Sequence, residues 1–177
     1  MRIRTVKFNF IMNAILTVSS ILFPLITFPY ISRVLLVEGS GKVAFATSVV
    51  SYFTMFATLG IPTYGIRECA RVRDNKEELS RTVQELLIIS GITTAITYGV
   101  FFLLLFVVPQ FRGQKELLIV IGASIGLTTI GVQWFYSALE QYSYITVCAV
   151  LFKIIGLILM FLLVKKPEDY VIYGQSL

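Results

Sequence analysis

From Phe8 onward the chain is a succession of apolar runs, each about as long as a membrane crossing, joined by short polar connections. An α-helix rises about 1.5 Å per residue and the hydrocarbon core of a bilayer is about 30 Å thick, so about twenty apolar residues are needed to cross it. Hydrophobic residues make up 56% of the chain and charged residues 14%. This composition excludes a water-soluble domain.

Five segments are long enough to cross, and they predict an all-α, polytopic integral membrane helix bundle that forms part of one transmembrane domain, 1–177. The predicted spans are 8–31, 43–66, 83–108, 117–136 and 145–164. A sixth apolar run, 170–177, corresponds to only about 12 Å of helix, so we expect an amino-terminal fragment of a longer protein. The first run is too long for a signal peptide, and we retain it as a span.

Lys and Arg residues are concentrated on one side of the predicted spans. Three occur in the first seven residues, and five more occur in 67–81, between the second and third spans. Because such residues favour the cytoplasmic side, the amino terminus should face the cytoplasm. Lys165 and Lys166 disagree, since they follow the fifth span on the side that this orientation makes external.

The net charge of +5 indicates attraction to anionic membrane lipids rather than to nucleic acid. Segment 67–81 mixes both signs of charge. It is either a solvated helical hairpin whose cations fix the topology, or a place where Arg67 helps to admit an anionic headgroup.

Several chemistries are excluded by what the chain lacks. It has no His, its cysteines are Cys69 and Cys148, and its acidic residues lie outside the spans or at their ends. No zinc site, haem ligation or Cys-His nucleophile can be built from these residues. No glycine-rich phosphate loop follows a strand pattern. We therefore predict no metal, no cofactor and no enzymatic activity.

Small polar residues recur at steps of three or four in the first two spans, which places them along one face of each helix. The first stripe comprises Asn9, Asn13, Thr17, Ser20, Pro24 and Thr27, and the second comprises Thr47, Ser51, Thr54, Thr58, Pro62 and Gly65. Such stripes either pack helices closely or line a water-filled cavity. Asn9 and Asn13 favour the cavity, because Asn is costly against hydrocarbon. Pro24, Pro29 and Pro62 should bend the helices.

Lys153 lies inside the fifth apolar run, about two turns from its start. An ammonium there costs about 2.5 to 3.5 kcal/mol, so it should face a cavity or extend toward the cytoplasm. Arg33, at the outer end of the first span, either faces the same cavity or anchors the helix boundary. Two cations in one cavity would attract phosphate.

The fourth span offers weaker signals. Gly122 and Gly126 predict a helix-packing face. Gln133 and Trp134 are expected at the interface, where Trp134, Tyr136, Tyr142 and Tyr144 would form an aromatic belt.

Four strings resemble the bacterial oligosaccharide flippases, the O-antigen and capsular polysaccharide transporters of the multidrug/oligosaccharidyl-lipid/polysaccharide exporter superfamily. They are 24–35 (PLITFPYISRVL), 39–46 (GSGKVAFA), 59–68 (LGIPTYGIRE) and 134–146 (WFYSALEQYSYIT). The chain departs from that family at Leu36 and Val37, where Gly-Pro is more common, so the first outer turn should be less sharply bent.

This resemblance implies part of one lobe of a twelve-to-fourteen-helix exporter in the bacterial inner (cytoplasmic) membrane. Such a protein translocates polyprenyl-diphosphate-linked oligosaccharide repeat units by alternating access for surface polysaccharide biosynthesis, including O antigen, lipopolysaccharide and capsule. Arg33 and Lys153 would hold the diphosphate, and Asn9, Asn13 and Gln133 would hydrogen-bond sugar hydroxyls. In the lipid II flippases a similar Ser-Arg-Val-Leu string contributes an essential cavity arginine, which supports the role of Arg33.

The implied partners are the lipid-linked oligosaccharide, membrane lipids, the missing carboxy-terminal half, a polysaccharide polymerase and a chain-length regulator, with no nucleic acid. Three alternatives stay open: a drug or cation exporter of the same superfamily, a non-transporting membrane subunit whose stripes pack against a partner, and a truncated remnant. The exporter would be expected to carry acidic residues within its spans for ion coupling.

Overall fold

The computed structural model describes residues 6–166 and 169–175, and these residues form α-helices and turns with no β-strand. The predicted all-α fold class is confirmed. The helices are α1 (Val6–Val34), α2 (Leu36–Thr58), α3 (Ile61–Arg71), α4 (Lys76–Val107), α5 (Pro109–Arg112), α6 (Lys115–Ile130), α7 (Gln133–Ala138), α8 (Tyr142–Leu163) and α9 (Tyr170–Gln175).

Within the described residues, five helical segments are long and apolar enough to cross a membrane, as predicted. The chain is therefore a multi-pass membrane protein. The segments are Lys7–Val34, Leu36–Arg71, Lys76–Val107, Lys115–Ala138 and Tyr142–Leu163. The short helix α9 starts where the partial sixth span was predicted.

Several helices extend beyond the predicted apolar spans. The second segment begins at Leu36 rather than at residue 43, and the third begins at Lys76 rather than at residue 83. In the first extension Lys42 Nζ lies 2.7 Å from Glu38 Oε1, one turn away. In the second, Asn75 Oδ1 accepts two backbone N–H groups from the first turn of α4. Such charge pairs and caps stabilise helix outside the hydrocarbon, where hydropathy gives no signal.

Two of the five segments are broken near one end. The second is interrupted at Leu59 and Gly60, with φ angles of 42° and 73°, and the fourth is interrupted at Val132, with φ of 35°. A positive φ is costly for Leu and more so for β-branched Val. Pro62 is the second residue of α3, in the first turn where proline needs no donor partner, so it lies at the start of a helix rather than bending one as expected.

α1 continues through its two prolines to Val34, so neither Pro24 nor Pro29 ends the helix. The break between α6 and α7 lies beside the break between α2 and α3, because α3 packs against α7.

The main core lies where α2 packs against α4 and α6. A Cβ atom added at Gly122 would approach the Phe101 ring to 2.9 Å, so only glycine lets the two helices come this close. At Gly126 the backbone N–H donates to the Tyr98 hydroxyl over 2.9 Å. The predicted packing face at Gly122 and Gly126 is confirmed.

Candidate functional site

Helices α1 and α8 lie side by side and run in the same direction, and we name their contact line the α1–α8 seam. Three hydrogen bonds occur along it in order. Thr146 Oγ1 donates to the Met12 carbonyl over 3.0 Å, Lys153 Nζ donates to Ser20 Oγ over 2.7 Å, and Tyr30 Oη donates to the Val164 carbonyl over 2.8 Å. The register fixes which polar groups meet at each depth.

Lys153 lies at the middle of this seam. It is eleven residues from the first residue of α8 and ten from the last, which is about 15 Å of helix on either side. The half-buried ammonium reaches sideways to Ser20, with Ser19 Oγ at 3.5 Å, and does not extend toward the cytoplasmic end. No carboxylate among the described residues forms an ion pair with it.

A hydroxyl partner does not neutralise an ammonium. Placing an uncompensated cation at mid-membrane costs about 2.5 to 3.5 kcal/mol, and an arriving anion would recover much of that cost. The arrangement therefore has the chemistry of an anion-binding group at the middle of α8.

Arg33 is exposed in the last turn of α1 and forms no ion pair with a described residue. It follows Ser20 by thirteen residues, which is about 20 Å along a helix and about 140° around it. The structure therefore does not bring Arg33 and Lys153 together at one depth. The expectation that both cations face one cavity has no geometric support here.

The two asparagines of the first stripe differ in burial. Asn13 is exposed, whereas Asn9 is only 8% exposed. Asn9 Oδ1 is buried without a hydrogen-bond partner among the described residues. An unpaired buried amide oxygen is costly and can accept a hydrogen bond from an incoming donor.

Gln133 borders two cavities near the cytoplasmic ends of the helices in the predicted orientation. The larger has a volume of about 780 Å³ and lies between α3, α6, α7 and α8. The smaller, of about 440 Å³, lies between the α6–α7 break and α8. Gly131 and Phe152 also line both cavities, and Phe152 directly precedes Lys153 in α8.

The larger cavity carries hydroxyl groups that the sequence analysis did not single out as a set. Thr128 Oγ1 donates to the Ser124 carbonyl over 2.8 Å, and Ser137 Oγ donates to the Gln133 carbonyl over 3.0 Å. Each hydroxyl oxygen keeps acceptor capacity toward the cavity. The spacing of four between Ser124 and Thr128 is the sequence signal that could have identified this polar face.

The expectation that Trp134 belongs to an interfacial aromatic belt is wrong. Its side chain is only 7% exposed and packs in a cluster with Ile61, Cys69, Leu86 and Ala138. The break at Val132 turns α7 so that this side chain points inward, over Gly65 of α3. Tyr136 and Tyr144 do lie together, with ring centroids 4.6 Å apart, at the smaller cavity.

Beyond α8, the carboxylate of Asp169 ties the chain back to the end of that helix. Its Oδ2 accepts the backbone N–H groups of Lys165 over 3.0 Å and of Lys166 over 2.8 Å. These two donors hold the pKa of the Asp169 carboxyl below its usual value.

The fold and the site define a polytopic α-helical membrane protein with a lysine ammonium at the middle of a spanning helix, facing α1. The chain belongs to the polysaccharide biosynthesis protein family, whose profile matches residues 6–177.

Two curated relatives share the name "Putative O-antigen transporter". The relative from Escherichia coli (strain K12) is 23% identical over 166 residues, covering 94% of this chain and 40% of the relative. The relative from Shigella dysenteriae is 26% identical over 167 residues, covering 93% of this chain and 41% of the relative. This chain thus spans about two fifths of their length. No solved structure matches it.

Proposed function

We propose that this chain forms the amino-terminal part of a transporter that moves polyprenyl-diphosphate-linked oligosaccharide repeat units across the bacterial inner membrane. The units would enter from the cytoplasmic leaflet, the amino terminus would face the cytoplasm, and the protein would work by alternating access. The family and the O-antigen transporter relatives support the substrate class.

The observation that carries the proposal is the ammonium of Lys153, held at the middle of the apolar helix α8 by a neutral hydroxyl. A cation that no carboxylate of the described residues pairs with matches an anionic headgroup that must pass through the membrane. It matches a cationic drug poorly, since a drug would be repelled. Lys153 would pair with the diphosphate when that group reaches the middle of the bilayer.

Amide and hydroxyl groups at the cytoplasmic half of the helices would bind the sugars. Asn13 and Gln133 are exposed. Asn9 Oδ1, which has no partner among the described residues, can accept a hydrogen bond from a sugar hydroxyl. Arg33 would meet the diphosphate at a different depth, because it lies about four turns beyond Ser20 on α1. The remaining part of the transporter, a polysaccharide polymerase and a chain-length regulator are the proposed protein partners.

The test is complementation with the full-length protein in a strain that lacks its own O-antigen transporter. Surface O antigen is measured by gel and immunoblot, with membrane levels of each variant measured in parallel. Lys153→Gln should abolish surface O antigen, whereas Lys115→Gln, which removes a boundary cation resting on the Phe106 ring, should keep it. Wild-type O antigen from Lys153→Gln would refute the proposal.

A second pair of variants asks whether the charge must stay uncompensated. Ser20→Asp would place a carboxylate against the ammonium and compete with the diphosphate, so we expect loss of transport. Ser20→Asn is its neutral match in size and should retain transport. Equal activity of the two variants would mean that Lys153 has only a packing role.

A further inference from the structure

Another cavity lies between the start of α4 and helix α7, at the end of the bundle that the proposed orientation makes cytoplasmic. Its volume is about 300 Å³, and we name it the α4–α7 cavity. Its lining includes no described residue of α1 or α8, so it is separate from the site at Lys153. The lining residues are Lys76, Leu79, Ser80, Val83, Gln84 and Phe135.

The lining consists of a polar row and an apolar floor. Lys76, Ser80 and Gln84 are exposed and follow one another at steps of four along α4, within about 80° around the helix. The three apolar residues are half-buried and pack on the cluster that contains Trp134. A cavity of this kind fits a ligand with one polar end and one apolar end.

The polar row crosses the headgroup layer of the membrane. The third apolar run starts at Val83, so Ser80 lies about 5 Å and Lys76 about 10 Å beyond the hydrocarbon along the helix. The headgroup layer is about 5 to 7 Å thick on each side of a bilayer. Ser80 is therefore at headgroup level, with Lys76 at the outer edge of that layer and Gln84 at its inner edge.

The charge of Lys76 is available to a ligand. Its ammonium forms no ion pair with a described residue, although Asp74, Glu77 and Glu78 are close to it in sequence. None of these three carboxylates lines the cavity. The neighbouring arginines differ, because they are paired: Arg71 with Glu68, Arg73 with Glu140 and Arg81 with Glu85.

The position of Lys76 within α4 also favours a ligand. It is the first residue of the helix, where the positive end of the helix dipole disfavours a cation. Lys76 therefore gains nothing from the helix that it begins. A cytoplasmic cation also supports the topology, so the test has to measure binding on the inserted protein rather than insertion.

We propose that the α4–α7 cavity binds one anionic glycerophospholipid of the cytoplasmic leaflet. Lys76 pairs with the phosphate, Ser80 donates a hydrogen bond to it, and the first part of one acyl chain lies on Val83 and Phe135. A phosphodiester carries one negative charge, which a single ammonium with neutral donors matches. The site rests on the proposed function for its orientation in the membrane.

The test titrates the full-length protein in neutral detergent with phosphatidylglycerol and measures the bound lipid by native mass spectrometry. Lys76→Gln should weaken the tightest binding step about fivefold, as expected for one cation at a membrane surface. Lys76→Arg keeps the charge and should bind like the wild type. The control is Arg67→Gln, which removes an exposed cation of the same end that does not line the cavity, and binding should change less than about twofold.

Two further ligands identify what the cavity holds. Phosphatidylcholine has no net charge and should bind the wild type and Lys76→Gln alike. If farnesyl diphosphate displaces phosphatidylglycerol at a lower concentration than phosphatidylglycerol itself requires, the cavity receives the transported diphosphate, and the phospholipid assignment is overturned. Equal loss of binding in Lys76→Gln and Arg67→Gln, or loss in neither, would overturn the site. The complementation result for Lys153→Gln does not depend on this cavity, so the two proposals can fail separately.

Discussion

Replacing Gly65 by alanine should destabilise the contact between α3 and α7. A Cβ atom at this position would lie 2.6 Å from Cε3 and 2.9 Å from Cζ3 of the Trp134 ring. Both distances are well below van der Waals contact, and the Trp134 side chain is buried. Overpacking of this kind costs about 1 to 3 kcal/mol. We expect Gly65→Ala to lower the free energy of unfolding by that amount.

The matched control is Gly91→Ala in α4, where an added Cβ meets nothing within 4 Å. Alanine is the better helix former by about 1 kcal/mol, so this variant should be neutral or more stable. The measurement is equilibrium unfolding of the detergent-solubilised protein in a denaturant titration. If Gly65→Ala is as stable as Gly91→Ala, the packing of Trp134 onto α3 is wrong, and with it the inward rotation of α7.

Three further predictions concern stability. Thr94→Val removes the 2.8 Å hydrogen bond to Thr129 between α4 and α6, and it should lower the free energy of unfolding by about 0.6 kcal/mol in the same titration. The control, Thr128→Val, loses only a hydrogen bond within its own helix and should lower that free energy less. Asn75→Ala removes the N-cap of α4 and should cost about 1 kcal/mol, with faster hydrogen exchange in the first turn. Asp169→Asn should lower the unfolding midpoint at neutral pH. The folded-state pKa of Asp169 is lowered, so its contribution to stability is present above the unfolded-state pKa and is lost as the pH falls through the folded-state pKa. The unfolding midpoints of Asp169→Asn and of the wild type should therefore become equal in acid.

Hydropathy predicts the number and order of the membrane crossings because the cost of exposing polar backbone to lipid dominates every local preference. It misplaces the helix ends, as at Leu36 and Lys76, since caps and charge pairs act outside the hydrocarbon. The breaks at Leu59 and Val132 are also invisible to it. Both residues are ordinary helix or strand formers, and only tertiary packing of α3 on α7 can hold them at positive φ.

The misassigned Trp134 shows how one such break changes a site prediction. On an unbroken helix a tryptophan near the end of a span would face the headgroups, which is the usual interfacial position. Here α7 turns at Val132, Trp134 covers Gly65, and neighbouring Gln133 lines both cavities. A sequence pattern that assumes one continuous helix therefore places Trp134 at the headgroups instead of in the contact between α3 and α7.

For Lys153, the sequence predicts a buried cation but does not predict its partner. Its energetic cost can be read from its position in an apolar run, but the identity of its partner depends on α1 and α8 packing in parallel with Ser20 opposite Lys153. That register decides the chemistry. A carboxylate opposite the ammonium would have made a closed structural pair, whereas a serine leaves the charge open to an anion. The same register separates Arg33 from Lys153 along α1, so the two cations expected to share one phosphate lie at different depths.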